Sequence, residues 1–233
     1  MANSPQLIGM IFPIGDDQVK GGYFPVFSYG FILLNVAIFI FENQMPQAQL
    51  AAFVNEYGSI PHEITQGNSW FTLLTSMFLH GGWMHLIGNM LFLWVFADNI
   101  EAAVGNIWFL LFYLAGGLAA VGGHIYFNWD SPVPMVGASG AISAVLGAYL
   151  VMYPASRIKL LFFIFPFRVS AWLFLGIWII QQMLYGAESI NDSEGGGVAW
   201  WAHICGFAFG ILGGLVFRSA GHLGNVELEG QES

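Results

Sequence analysis

Four polar side chains sit within apolar stretches of this 233-residue sequence at places where they could act together: His85, Asn89, Ser139 and His203. A serine hydroxyl becomes a nucleophile toward a carbonyl when an imidazole takes its proton, and the oxyanion that forms needs donors aimed at it. Ser139 lies in Gly137-Ala138-Ser139-Gly140, shortly after Pro132 and Pro134, where an entering chain can start a helix. N–H groups at such a start have no intrahelical acceptor, so they form an oxyanion-binding arrangement if a carbonyl is delivered there. His203 lies in Ala202-His203-Ile204-Cys205-Gly206. His85 and Asn89, spaced i, i+4, project from one helix face toward a common neighbour and could add side-chain donors to the same oxygen.

The elements that must position these groups are membrane helices. The chain is 57% hydrophobic and 8% charged, against about 25% charged in a soluble domain. Apolar runs long enough to cross ~30 Å of hydrocarbon, roughly 20 residues each, recur along it. The expected fold is all-α, a polytopic bundle of six transmembrane helices at 24–41, 83–104, 107–127, 135–153, 170–186 and 198–217. It divides into an N-terminal segment 1–23, a membrane domain 24–217 and a tail 218–233, with no repeat and no second domain. Residues 1–15 have neither a basic cluster nor an apolar core with a small-residue cleavage site, so no removable signal peptide is expected. The connection 42–82 holds semi-apolar stretches at 48–54 and 70–79 and is expected to rest at the membrane interface. The stretch 194–197 reads as a Gly-rich loop. Cys205 is the single cysteine, which excludes a disulfide within the chain and reads as a small buried residue.

The five basic residues, Lys20, Arg157, Lys159, Arg168 and Arg218, precede the first span, join the fourth to the fifth, or follow the sixth. In a six-span topology all five face one side, which the positive-inside rule makes cytoplasmic, together with both termini. The opposite loops carry Glu56, Glu63, Asp130, Glu188, Asp192 and Glu194 without a Lys or Arg. A net charge of -9 with so few cations argues against a nucleic-acid partner.

Polar groups inside a span are costly and mark candidate functional positions. Taken singly, each reads more readily as interhelical hydrogen-bond glue. Their depth argues otherwise. Ser139 and His203 are each about four or five residues from the outer start of their spans, roughly 6 to 8 Å, and His85 and Asn89 bracket that level. Gly206, Gly210 and Gly214 form a small-residue stripe on the sixth span that can pack against Gly140, Ala144 and Gly147 on the fourth. That seam would bring Ser139 and His203 within reach of each other. Neither the spacing of the histidines nor the span interior supplies acidic partners for a metal, so neither a metal nor another cofactor is expected, and His62, His124 and His222 receive no role.

These residues resemble the rhomboid family of intramembrane serine proteases in its six-span form. The similarity covers roughly 70–214 and rests on His80 to His85 with Asn89, on Glu101 and Gly105, on Gly137-Ala138-Ser139-Gly140, and on Ala202-His203 with Gly206 and Gly210. The resemblance implies that Ser139 is the nucleophile and His203 its base in a Ser/His dyad, with His85, Asn89 and the Ser139 N–H as the oxyanion site. Two positions depart from the family. Phe71-Thr72 stands where some members carry Trp-Arg, and Ser143 stands where some bacterial members place a ring against the histidine. His203 then needs another support, and Trp200 or Trp201 are near enough in sequence to offer one.

The expected activity is hydrolysis of a peptide bond in or near the transmembrane helix of single-span membrane-protein substrates in the lipid bilayer of a prokaryotic cell (inner) membrane. A helical substrate must unwind locally to present its carbonyl. Lateral entry requires a helix to move, and the fifth span, lacking the glycine seam, is the expected gate, with Trp178 and Gln182 near its outer end. A non-proteolytic client-binding relative would need no pairing of Ser139 with His203. A small-solute transporter would be expected to show paired internal repeats, which the sequence lacks.

Overall fold

A computed structural model describes residues 11–189, 198–222 and 227–228. The start of the N-terminal segment, the 194–197 stretch, Asp192 and most of the acidic tail lie outside the described residues. Each expected span contains a helix: α1 (Val26–Glu42), α5 (Trp83–Val104), α6 (Asn106–Phe127), α7 (Ser139–Met152), α8 (Ala171–Ser189) and α9 (Trp200–Ser219). Three of them, α5, α6 and α9, are long and apolar enough to cross a membrane by themselves, while α1 and α7 are shorter apolar helices of 17 and 14 residues. The connection between α1 and α5 folds into α2 (Gln47–Tyr57), α3 (Pro61–Thr65) and α4 (Thr72–Thr75) and leaves Trp70, Phe71 and Leu74 exposed.

The fourth helix is shorter than the sequence suggests, for a local reason. Met135 is held in an extended bridge to Ser59 by two backbone hydrogen bonds of 2.8 and 3.0 Å. Pro132 and Pro134 also disfavour helix in the residues before them. The helix therefore begins at Ser139 itself.

The all-α expectation needs one correction. Strands β1 (Ile11–Gly15), β3 (Arg157–Phe162) and β4 (Phe165–Ser170) form an antiparallel sheet in the order β1-β3-β4, and β2 (Val19–Lys20) pairs with β5 (Glu227–Leu228). Residues 157–160 alternate exposed and buried, the period of a strand with one covered face. The segment after β1 is tied down at the same end of the bundle. Asp17 accepts the Arg157 N–H at 2.8 Å, and Asp16 accepts hydrogen bonds from Gln18, Asn99 and Tyr149. Burial pushes the Asp16 carboxyl up to about 7, against the opposing pull of those hydrogen bonds.

Two features fix the helices that frame the site. Glu101 on α5 caps the N-terminus of α1, accepting the N–H groups of Phe27 and Ser28 at 2.8 and 2.7 Å and the Ser28 hydroxyl at 2.7 Å. A carboxylate there satisfies orphan donors and complements the helix dipole. The second feature is the seam between α7 and α9. A Cβ added at Gly206 would strike the Gly140 carbonyl, one at Gly210 the Ala144 carbonyl, and one at Gly214 the Ala148 backbone. The two backbones touch along three turns, as the small-residue stripes predict.

Candidate active site

The seam sets the distance between the two side chains that could do acyl-transfer chemistry. Ser139, the first residue of α7, places its Oγ 2.8 Å from Nε2 of His203, the fourth residue of α9. Nδ1 of the same ring lies 2.7 Å from Oε1 of Gln182 on α8. A carbonyl oxygen only accepts, so Nδ1 carries the proton and Nε2 presents a lone pair to the serine hydroxyl. That is the tautomer a general base needs, and a neutral amide selects it. Both His203 and Gln182 are buried.

The ring has aromatic neighbours as well. Trp178 on α8 lies 5.9 Å from His203 between centroids, and Trp200 approaches it edge-on at 6.2 Å. Trp201 does not take part, since it stacks on Phe127 at 3.7 Å. Ser143, at the position where a supporting ring was missing, turns its hydroxyl to the Ser139 carbonyl at 2.6 Å. Trp178 and Gln182, expected near a gate, thus converge on the imidazole.

Donors surround the space in front of Ser139. His85 Nδ1 accepts the Gly81 N–H at 3.3 Å, which leaves the proton on Nε2 and makes that nitrogen a donor. The ring lies beside Gly137, where an added Cβ would come 2.8 Å from Nε2 and 3.7 Å from the Asn89 Nδ2. Gly137 also has φ +128°, a conformation that side chains rarely adopt, so glycine is required there twice over. Asn89 Nδ2 is buried without a partner among the described residues. An unsatisfied buried donor is costly unless a ligand or water meets it. The first helical hydrogen bond of α7 starts at Ile142, so the Ser139 N–H is free of the helix ladder and can donate into the same space.

These groups line one cavity of about 770 Å³ that holds His85, Asn89, Ser139, Trp178 and His203 in its wall. His80, buried behind His85 with ring centroids 5.2 Å apart, is outside it. His62 pairs with Asp130 at 2.7 Å and ties α3 to the chain leading into α7. A hydroxyl, an unprotonated imidazole nitrogen and converging N–H donors around a cavity can carry acyl transfer.

Comparison with known proteins gives the same direction. The rhomboid domain family model matches residues 67–220. "Rhomboid protease GluP" of Bacillus subtilis is 35% identical over 133 residues, covering 57% of this chain and 26% of that protein. "Rhomboid protein 1, mitochondrial" of Saccharomyces cerevisiae is 27% identical over 199 residues, 82% of this chain and 53% of its own length. "RHOMBOID-like protein 12, mitochondrial" of Arabidopsis thaliana is 29% identical over 203 residues, 78% of this chain and 56% of its own. The chain thus spans between a quarter and about half the length of these relatives.

Proposed function

This chain belongs to the rhomboid family and is an integral membrane protein, and from that premise we propose that it is an intramembrane serine endopeptidase. In this reading α1, α5, α6, α7, α8 and α9 are the six spans, both termini face the cytoplasm, and the membrane is a prokaryotic inner membrane. The single observation that carries the activity is the 2.8 Å approach of Ser139 Oγ to a His203 nitrogen whose other side is held by an acceptor.

Ser139 attacks a peptide carbonyl of a single-span membrane protein while His203 Nε2 takes the hydroxyl proton. The tetrahedral oxyanion is met by the Ser139 N–H, Asn89 Nδ2 and His85 Nε2. His203 then gives the proton to the leaving amine, and water entering from the outer face repeats the sequence on the acyl-enzyme. The substrate enters beside α8, which shares no glycine seam with its neighbours. Its aromatic contacts with α5, Phe174 against Phe92 and Phe96 at 6.1 and 6.3 Å, are side-chain contacts that can part without strain on either backbone.

Capture by a fluorophosphonate tests this reading. The folded protein in detergent or lipid is expected to be labelled on Ser139, as mass spectrometry of the modified peptide would show. Absence of labelling in a folded sample would favour a client-binding relative without protease chemistry.

Gln182 has the role of a positioning residue for the base. Gln182→Leu keeps the volume and removes the acceptor, so the wrong tautomer and a freer ring become accessible. Its kcat is expected to fall roughly tenfold or more with little change in KM, and thermal unfolding is expected to fall modestly, because the buried Nδ1–H loses its acceptor. Gln182→Glu keeps an acceptor, stabilises the imidazolium, and moves the acidic limb of the pH–rate profile to higher pH. A profile identical to wild type would show that Gln182 does not act through His203.

A further inference from the structure

The hairpin of β3 and β4 joins the inner ends of α7 and α8, and its two faces differ in character. Cross-strand partners share a face. One face therefore carries the pairs Ile158 with Val169, Leu160 with Phe167 and Phe162 with Phe165, while the other carries Lys159 with Arg168 and, beside them, Arg157. At its base the apolar face is core, with Ile158 0% and Leu160 3% exposed. Toward the turn it is bare. Phe165 is 68% exposed, Phe163 61% and Ile164 79%.

Two consequences follow from general physical chemistry. A contiguous patch of exposed aromatic and aliphatic side chains is unfavourable in water and marks a surface with a partner. On the other face, Lys159 lies directly across from Arg168, and like charges so placed repel. Among the described residues no acidic side chain forms an ion pair with Arg157, Lys159 or Arg168. Asp17 is close, but its carboxylate takes the Arg157 backbone N–H. Three of the five cations of the chain are thus gathered on one side of an apolar wedge.

We propose that this hairpin is an interfacial membrane anchor that binds anionic lipid headgroups. Phe163, Ile164 and Phe165 enter the acyl boundary of the leaflet next to the inner ends of α7 and α8. Arg157, Lys159 and Arg168 meet phosphate oxygens at its surface. A leaflet fits better than a protein partner for two reasons. The hairpin is continuous with two helices of a membrane bundle, and headgroup anions relieve the Lys159/Arg168 repulsion while hydrocarbon covers the tip. The proposal is independent of the catalytic reading, since it concerns only the inner surface. It would give the protein a fixed foot under the two helices that carry Ser139 and Gln182.

A probe at the tip tests it in the full chain. Ile164→Cys in a Cys205→Ala background carries a single thiol for a nitrobenzoxadiazole label, and the labelled protein is placed in lipid nanodiscs open to buffer on both faces. In equimolar phosphatidylcholine and phosphatidylglycerol the emission is expected to move to the blue, to be quenched by spin-labelled acyl chains and to resist aqueous iodide. Adding Lys159→Gln and Arg168→Gln, both at exposed positions, shifts the balance between inserted and lifted tip roughly 30-fold toward lifted, read as restored iodide quenching with unchanged thermal unfolding. Full iodide access in the anionic discs would overturn the proposal. Equal insertion in pure phosphatidylcholine, unaffected by the two Gln substitutions, would overturn the headgroup contact. Protection that rises with protein concentration in detergent would overturn it in favour of self-association.

Discussion

Ser139→Ala and His203→Ala are each expected to lower cleavage of a membrane-spanning substrate by at least about 10³-fold, with the folded protein retained. Ser139→Ala removes the proposed attacking oxygen and nothing that supports the fold, because Oγ bonds only the His203 ring at 2.8 Å. Helix α7 still starts at the same place, since the bridge of Met135 to Ser59 and the Gly137 N–H to the Ser76 carbonyl at 2.8 Å are untouched. His203→Ala removes the proposed base and leaves the Gln182 carbonyl without its donor, a loss of about 1–3 kcal/mol if water does not replace it. Its thermal unfolding should therefore fall below that of Ser139→Ala while both are inactive. In the proposed dyad the two residues act as one unit, so the double variant is expected to be no slower than either single one. The measurement is turnover of a purified single-span substrate in detergent by the three variants and wild type. Cleavage by Ser139→Ala at the wild-type rate would remove the dyad from the mechanism.

Much of this arrangement is legible in the sequence, because membrane helices make depth countable. Ser139 and His203 stand at similar distances from the outer starts of their apolar runs, and the small residues Gly140, Ala144, Gly206 and Gly210 announce a close seam before any coordinates are known. His85 and Asn89 follow from an i, i+4 spacing. The support of His203 is another matter. Gln182 is a neutral amide on a different helix, 21 residues away, and no spacing rule links it to the imidazole. Only the packing of α8 on α9 brings it there. An isolated Gln in a span does read as costly and so as a candidate, but its partner is not written in its neighbours. The same holds for the sheet. β1 pairs with β3 across about two thirds of the chain, Ile11 with Phe162, and so short an alternating run at 157–160 is easily taken for a basic loop. The early start expected for α7 failed through another long-range pairing, Met135 with Ser59.

A single methyl group separates packing from propensity in this fold. In a helix interior, Gly→Ala ordinarily stabilises by roughly 0.5–1 kcal/mol, through lost freedom of the unfolded chain. Gly176→Ala on α8 should behave in that way, because an added Cβ meets nothing within 4 Å. Gly210→Ala should do the opposite. Its Cβ would overlap the Ala144 carbonyl, a backbone atom of α7 that cannot rotate aside, so α7 and α9 must separate. Overpacking of this kind costs about 1–3 kcal/mol, which outweighs the propensity gain and gives a net loss. Function should suffer more than stability. Ser139 and His203 sit five and seven residues from Ala144 and Gly210 on their helices, so a shift at Gly210 lengthens the 2.8 Å hydrogen bond between them, and a misplacement near 1 Å can cost about 10²-fold in rate. The pair of variants is read by unfolding in mixed detergent and by substrate turnover. Opposite signs in stability, with activity lost only in Gly210→Ala, would show that the seam sets the geometry of the dyad, whereas stabilisation by both would show that α7 and α9 tolerate a wider gap than their glycines imply.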